Sequence, residues 1–319
     1  MHEFQLIKKY LLKLSNNNKS SLNLNDDVFF DKSKHLVVSV DTYVQGIHFI
    51  DFKKPDLVIK KIIRSSISDL ICKGVRPKYY FISGSGDSKS FSSSNLKKIM
   101  KSLKQEQNKY DISLSGGDTV MSNKLSFTIT SIGFSKKIIF RNNAKLRDDI
   151  YVTGNLGDSF VGLKVLKKKI NISKSLEKYF INKYYLPNLH LEFAKKLISF
   201  ANASIDLSDG LISDLDKLIN KQKLSYKLFL NNIPVSNNLN KLLITKKLNK
   251  MFFISQGDDY QILFTANPSK SRIINKTAKS LGIKISKIGI ICSHSQKSQI
   301  IDTKGKKIAP KHKGYYHQF

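Results

Sequence analysis

Apolar residues in the first half of the chain follow two different periods. Residues 4–14 and residues 57–73 repeat them at helical spacing, and Gly74 is a plausible stop for the second helix. Residues 125–134 alternate apolar and polar side chains, as a half-buried strand does. Four further expectations for this half are a buried strand at 36–41 that ends in a carboxylate, a short strand at 79–83, a helix at 96–103 and a mobile serine-rich loop at 83–95.

The second half continues the mixture of strands and helices. A strand at 150–153, a turn at 154–157 and a helix at 158–166 are expected to follow one another. Further helices are predicted at 175–185, 189–200, 210–220 and 269–281, and further strands at 203–206, 226–230, 260–265 and 283–291. Interspersed strands and helices predict the α/β or α+β class in two parts. A polar stretch at 138–148 places the boundary, so we expect domains over 1–138 and 149–319.

Length and composition narrow the class of protein. The 319 residues, 40% of them hydrophobic, are enough for two cores, and no run of 18 apolar residues predicts a membrane helix. The N-terminal stretch reads as an amphipathic helix rather than a signal peptide. Cys72 and Cys292 lie far apart and have no metal-binding spacing. We therefore expect no disulfide and a reducing, cytoplasmic setting.

The formal net charge of +31 raises the alternative of a nucleic-acid-binding protein. Arginine, which reads bases and phosphates through bidentate contacts, supplies only five of the 55 basic residues. The lysines are scattered through almost every segment beside many Asn, Ile and Ser residues. This distribution favours a solvated lysine-rich surface over a nucleic-acid site.

The usual nucleotide-binding motifs are missing from the sequence. It contains no G-x-x-x-x-G-K-[ST] loop, no G-x-G-x-x-G after a strand and no H-R-D motif. The common nucleotide-binding folds are therefore disfavoured.

Aspartates are concentrated in short motifs at the ends of apolar strands, although the chain has only 24 acidic residues. Each motif alone fits a turn or a helix cap equally well. Carboxylates brought together repel one another unless a cation offsets their charge, and Mg²⁺ prefers oxygen ligands. The set therefore predicts a magnesium site suited to phosphoryl transfer. Its members are Asp26, Asp27, Asp41, Asp69, Asp118, Asp206, Asp209, Asp258 and Asp259.

The order and spacing of these motifs resemble the thiamine-monophosphate kinase family, within the superfamily that includes aminoimidazole ribonucleotide synthetase. The resemblance covers nearly the whole chain. Its motifs are EFQLI (3–7), DD (26–27), VSVDTYVQGIHF (38–49), SISDLICKGVRP (66–77), SLSGGDT (113–119), FRNNAKLRDDIYVTGNLGDS (140–159), SIDLSDGLISDL (204–215), SQGDDYQILFT (255–265) and KGYYHQF (313–319).

The resemblance implies a set of functional residues in a cleft between two domains. Magnesium ions that bridge the ATP phosphates would be bound by Asp27, Asp41, Asp69, Asp118, Asp206 and Asp209, with Ser39 and the backbone at Val40 completing the shell. Gly117 and Ser208 would lie against the nucleotide, and Arg141 would neutralise phosphate charge. Thiamine monophosphate would be contacted by His48, Asp258 and Tyr315. The resemblance also implies a homodimer formed through the sheet of the first domain.

The family transfers the phosphoryl group directly, and the sequence offers no obvious nucleophile–base pair. A phosphate acceptor is already anionic near neutral pH, so no strong general base is required. Two departures concern fine contacts. Asn25 replaces a glycine and could keep a turn with positive φ, and Asp258 replaces a longer glutamate. Open alternatives are a related synthetase and a non-catalytic binder of thiamine phosphates.

Overall fold

The computed structural model describes residues 3–15, 18–302, 304–310 and 312–315. The first half of the chain forms a five-stranded sheet in the order β1-β2-β5-β3-β4. All neighbours in it are antiparallel except β3 and β4, which are parallel. Its strands are β1 (Phe29–Asp31), β2 (Leu36–Val44), β3 (Pro77–Gly86), β4 (Ser113–Met121) and β5 (Ser126–Phe134).

The second half forms a seven-stranded sheet in the order β12-β11-β8-β10-β6-β9-β7. Its neighbours are antiparallel except β11 and β8. The strands are β6 (Asp149–Thr153), β7 (Ala201–Asp206), β8 (Leu224–Phe229), β9 (Ile262–Ala266), β10 (Ile285–Ser293), β11 (Gln299–Ile301) and β12 (Lys307–Ile308). Two mixed sheets with interspersed helices confirm the predicted class.

Helices connect and cover these strands. They are α1 (Glu3–Leu6), α2 (Pro55–Cys72), α3 (Ser93–Tyr110), α4 (Asp158–Leu166), α5 (Lys174–Tyr185), α6 (Leu191–Leu197), α7 (Leu211–Leu218), α8 (Asn237–Thr245), α9 (Lys250–Ile254) and α10 (Ser271–Leu281). A π-helical turn (Ile7–Leu11) and a 3-10 turn (Leu12–Ser15) continue α1, so the single N-terminal helix predicted over 4–14 is irregular. Among the described residues, no helix is long and apolar enough to cross a membrane.

Helix α2 packs between the two sheets. Its isoleucines pack in a core cluster that also contains Tyr80 and Ile129 of the first sheet and Phe264 of the second. The polar side chains of α2 reach the second half of the chain, where the Ser68 hydroxyl contacts Asp206 on β7. Because α2 is buried on nearly every side, an unpaired polar group on it is costly, and several of its polar side chains bond other parts of the protein.

The face of the first sheet turned away from α2 is open. Strand β5 alternates between buried and partly exposed residues, as the sequence predicts. Val40, Thr130 and Phe81 form one row across β2, β5 and β3 on the open face. Val40 is 62% exposed and Phe81 36%, so this face presents apolar side chains to solvent.

Two expectations about loops were wrong. The serine-rich segment 83–95 is a strand end, a turn and a helix start, because residues 83–86 pair with β4 and Asn95 lies in α3. Asn25 has φ −124°, and the left-handed conformations fall on Leu22, Asn23 and Leu24 before it. The Asn25 side chain is used instead in paired hydrogen bonds with Asn220. Residues 316–319 of the last motif lie outside the described residues.

Candidate active site

A cleft of about 510 Å³ opens between the two sheets. One part of its wall is acidic and the other is rich in aromatic and apolar side chains. The acidic part contains Asp26, Asp27, Asp41, Asp69, Asp206 and Asp209, and the other contains Tyr43, Ile47, His48, Phe160, Leu163, Tyr260 and Tyr315. Both halves of the chain therefore contribute to one site.

Strand periodicity and helix α2 bring three carboxylates together. Asp41 lies on the same face of β2 as the buried Ser39, which is the face covered by α2. The Ser39 hydroxyl donates a hydrogen bond to Asp69 on α2. Ser68, one residue earlier on α2, donates to Asp206 at the end of β7, 2.7 Å away. The α2 motif thus links the middle of β2 in the first sheet to the end of β7 in the second.

Burial and mutual repulsion change the acidity of this group. Burial raises the pKa of Asp41 and that of Asp206 to about 6. Burial also raises the pKa of Asp69 well above its usual value, and the nearby charges of Asp41 and Asp206 add to this shift. The folded chain alone therefore favours protonation of these carboxyls, whereas a bound cation would favour their ionised forms.

Asp26 and Asp27 are held by cations of the protein. Lys73 is fully buried, and its ammonium lies 2.7 Å from Asp26 and 3.2 Å from Asp27. Arg141 makes a bidentate contact with the Asp27 carboxylate, with its Nε at 3.0 Å, and its backbone N–H donates to Asp26 at 2.9 Å. The predicted phosphate ligand Arg141 is therefore in the cleft and already paired with a predicted metal ligand.

Lys217 holds the acidic residues of the second half in a similar way. Its ammonium contacts the carboxylate of Asp209 and lies 3.1 Å from that of Asp214. Asp214 also accepts hydrogen bonds from the backbone N–H groups of Asp209 and Gly210, both at 3.0 Å. These bonds fix the turn before α7 and direct Asp209 towards the cleft. Ser208 lines the cleft beside it.

The donor atoms of this region fit a hard divalent cation. Oxygens of Asp27 and Asp206 and the sulfur of Cys72 lie within 4.8 Å of one another. Cys72 is buried in the core, and burial raises the pKa of its thiol, so it stays protonated. Carboxylate oxygens therefore remain as the ligands, which is the set that Mg²⁺ prefers.

His48 and Tyr315 lie at the other part of the cleft. The Nδ1 atom of His48 accepts a hydrogen bond from the backbone N–H of Val44, and its ring meets Tyr43 edge-on with centroids 5.8 Å apart. Tyr315 is 45% exposed, and its backbone N–H donates to the carbonyl of Asp209. Tyr315 therefore lines the cleft next to the acidic wall.

Asp258 reaches the cleft through an unusual loop. Gly257, Asp258 and Tyr260 all have positive φ, and a Cβ at Gly257 would collide with the carbonyl oxygen of Ser208. The Asp258 carboxylate contacts the Lys61 ammonium at 2.8 Å and the Tyr260 hydroxyl at 3.0 Å. This loop turns Asp258 into the site while its neighbour Asp259 points elsewhere.

Asp118 and Gly117 are not brought to this cleft within the described part of one chain. Both lie on β4, an edge strand whose nine residues are all exposed, and Asp118 is paired in register with Ser83. Gly117 allows close pairing, because a Cβ would overlap the carbonyl oxygen of Ile82. Asp118 therefore lies three strands away from β2 at the outer edge of the sheet.

Three lysines that were not predicted from the sequence form ion pairs with aspartates of the cleft: Lys61, Lys73 and Lys217. Lys73 lies inside one of the motifs, Lys217 lies two residues after another, and Lys61 lies in the helix predicted over 57–73. A lysine on an apolar helix face was the available signal for Lys61, since such a side chain is buried only with a partner. The abundance of lysine in this chain obscured that signal.

Fold and site together define a member of the aminoimidazole ribonucleotide synthetase-like superfamily. Residues 25–135 match the family described as "AIR synthase related protein, N-terminal domain". The chain is 34% identical to a thiamine-monophosphate kinase of Buchnera aphidicola subsp. Acyrthosiphon pisum, over 99% of this chain and 98% of the relative. It is 32% identical to that of Haemophilus influenzae, over 91% and 89%. The chain therefore belongs to the thiamine-monophosphate kinase family.

A solved structure, "AaThiL complexed with AMPPCP and TMP", has the same fold. It superimposes with a TM-score of 0.85 at 25% identity, over 99% of this chain and 97% of the other. A thiamine monophosphate kinase from Aquifex aeolicus gives a TM-score of 0.78 at 25% identity, over 96% and 99%. The likeness includes both sheets and hence both walls of the cleft.

Proposed function

We propose that this protein phosphorylates thiamine monophosphate to thiamine diphosphate, with ATP as the donor and Mg²⁺ as the metal. One observation carries the proposal: this chain, which belongs to the family, brings a carboxylate wall and an aromatic wall together in one cleft. The first wall suits the cations that accompany nucleotide phosphates, and the second suits an aromatic substrate. The AaThiL complex, with an ATP analogue and TMP, supports this division.

The residue roles follow the geometry of the cleft. Mg²⁺ would be held by the carboxylates of the acidic wall, completed by Ser39 and the backbone at Val40, and it would neutralise phosphate charge. Ser208 lies next to Asp209, where it can contact the nucleotide. Arg141 changes partners in this proposal, from Asp27 to a phosphate, once metal charge compensates the carboxylate. His48, Asp258 and Tyr315 orient thiamine monophosphate. The metal ligands assigned here are Asp27, Asp41, Asp69, Asp206 and Asp209.

The reaction needs positioning more than proton transfer. A phosphate oxygen of thiamine monophosphate bonds to the γ-phosphorus as the bond from that phosphorus to the ADP oxygen breaks. The acceptor is already anionic, so no side chain has to remove a proton. The protein groups hold donor and acceptor in line and exclude water from the cleft. Direct transfer agrees with the lack of a nucleophile–base pair in the motifs.

The proposal includes a homodimer that joins the open faces of two five-stranded sheets. The apolar row of Val40 and Phe81 on that face supports it, because exposed apolar patches mark interaction surfaces. Asp118 and Gly117 act, in this proposal, from the edge strand across the dimer rather than within one chain. In this proposal the domains span 1–138 and 149–319, and each is built around one sheet. A cytoplasmic location accords with the free cysteines Cys72 and Cys292.

The test is an assay with ATP, Mg²⁺ and thiamine monophosphate that follows thiamine diphosphate and ADP by chromatography. Equal amounts of both products, abolished by a chelator, are expected. ADP without thiamine diphosphate would contradict the assignment and favour a related synthetase chemistry. Binding of thiamine monophosphate by folded protein without turnover would identify a non-catalytic binder.

A further inference from the structure

Lys61 is a fully buried lysine in the middle of α2, surrounded by the isoleucines of the main core. A buried ammonium is costly unless several groups compensate for its lost hydration. Burial lowers the pKa of Lys61, and the Asp258 carboxylate acts in the opposite direction. The function proposed above gives Lys61 no role in binding or transfer.

Three contacts compensate for the burial of this ammonium. It lies 2.8 Å from Oδ1 of Asp258, donates to the carbonyl of Tyr184 at 3.3 Å, and lies over the Tyr184 ring at 3.9 Å from its centroid. A cation over an aromatic face at this distance is attracted to it. The ammonium is therefore fixed in position by α2 and α5 together.

Both donors to Asp258 use the same oxygen. Lys61 and the Tyr260 hydroxyl contact Oδ1, and among the described residues none donates to Oδ2. Asp258 is 28% exposed and lines the cleft. The pair with Lys61 holds this carboxylate in place through Oδ1, so that Oδ2 can accept a hydrogen bond from an amino group of a ligand.

The same network reaches the second residue of the substrate end. The Tyr184 hydroxyl donates to the carbonyl oxygen of His48 at 3.3 Å. Lys61 thus contacts Asp258 directly and His48 through Tyr184. Its contacts do not include the carboxylates of the acidic wall.

We propose that Lys61 is a positioning residue for the thiamine moiety, acting through Asp258, and this rests on the proposed function. The side chain is buried behind Asp258 and does not itself line the cleft. It matters for the acceptor substrate and not for the nucleotide. Asp258 has a shorter side chain than the glutamate that the family usually has here, and the ion pair with Lys61 compensates by fixing the position of its carboxylate.

The experiment is a double-mutant cycle of Lys61→Met and Asp258→Asn, with Lys250→Met as the control. Lys250 is a half-buried lysine of α9 that bonds the Leu230 carbonyl outside the cleft. We expect Lys61→Met to raise KM for thiamine monophosphate about tenfold or more, with KM for ATP changed less than about threefold. KM for thiamine monophosphate in the double variant should be no higher than in the more impaired single variant, because both substitutions remove the same Lys61–Asp258 interaction. Lys250→Met should match the wild type.

Calorimetric binding of thiamine monophosphate by the same proteins separates this inference from the proposed function. Wild-type protein that binds without turnover would contradict the kinase assignment, and the binding cycle would still test Lys61. Additive losses in the double variant, or equal losses for ATP and thiamine monophosphate, would overturn the positioning role. If Lys61→Met fails to fold because it leaves Asp258 unpaired, the double variant should fold. Failure of both variants to fold would also overturn the positioning role. Lack of binding by the wild type would overturn both proposals.

Discussion

Asp258 and Asp259 are neighbours in the chain, yet their carboxylates serve different parts of the molecule. The Asp258 carboxylate lies in the cleft beside Lys61. The Asp259 carboxylate is buried and accepts the backbone N–H of Gly157 through both oxygens, at 3.0 and 2.9 Å. It thereby caps the start of α4, whose first residue is Asp158. One motif therefore contains a candidate ligand contact and a structural cap.

This division predicts that substitutions at Asp259 change the stability of the protein. Asp259→Ala should lower the free energy of unfolding by about 1–3 kcal/mol, because a buried N–H loses its acceptor. Asp259→Asn should be much milder, since it keeps an acceptor and burial already raises the pKa of Asp259 well above its usual value. Urea denaturation measures both. An Asp259→Ala protein as stable as the wild type would contradict the capping role.

The raised pKa of Asp206 predicts how stability changes with pH in metal-free protein. Its folded value of about 6 exceeds the unfolded value of about 4, so the folded state binds more protons between them. The wild type should therefore lose stability relative to Asp206→Asn as pH rises from about 4 to 6, by about 2 kcal/mol. Denaturation of both proteins at several pH values measures this difference.

Magnesium supplies the control for that experiment. It should stabilise the wild type more at pH 7.5 than at pH 5, since protons compete with the metal for carboxylates. Its effect on Asp206→Asn should be smaller at both pH values. A stability difference between the two proteins that does not change with pH would show that the pKa of Asp206 is the same in the folded and unfolded states.

The position of Tyr315 predicts a selective loss of acceptor binding. Tyr315→Ala should raise KM for thiamine monophosphate about three- to tenfold, because an aromatic pair contributes about 0.5–1.5 kcal/mol. KM for ATP should change little. Steady-state kinetics with each substrate varied in turn measures the split, and Tyr315→Phe, which keeps the ring, should resemble the wild type. Equal losses for both substrates would contradict the role.

The open face of the first sheet predicts the oligomeric state. Phe81→Asp places a charge in the apolar row that includes Val40, and should convert a dimer to monomers in light scattering. Met100→Asp is the matched control, since Met100 is 68% exposed on α3. It should leave the dimer intact.

Turnover of the same variants tests whether Asp118 acts across the dimer. If it does, Phe81→Asp should also reduce kcat, and Asp118→Asn should greatly reduce turnover without altering the fold. A wild-type monomer with full activity would exclude the dimer-dependent role. Full activity of Asp118→Asn at saturating substrate would exclude Asp118 from the metal site altogether.

The sequence by itself determined many of the helices and strands and the chemistry of their residues, whereas it did not predict β1, β4, α8, α9, β11 or β12. Local periodicity placed β5 and the helix of residues 158–166 correctly, because amphipathic segments bury one face wherever they lie. It also placed Asp206 correctly at the end of an apolar strand, where a carboxylate is costly without a cation. Asp41 was expected to end a strand over 36–41, but it lies inside β2, which continues to Val44. Motif spacing led to the family that the comparisons confirm.

Only the tertiary structure decided how these residues are paired. Three ion pairs join residues that are far apart in the chain: Lys73 with Asp26, Lys61 with Asp258 and Arg141 with Asp27. A sequence rich in lysine does not distinguish its buried lysines from its solvated ones. The edge position of Asp118 follows from the strand order, and the orientation of Asp258 follows from positive φ in a packed loop. Local patterns determine which side faces inward, whereas long-range packing determines which charges meet.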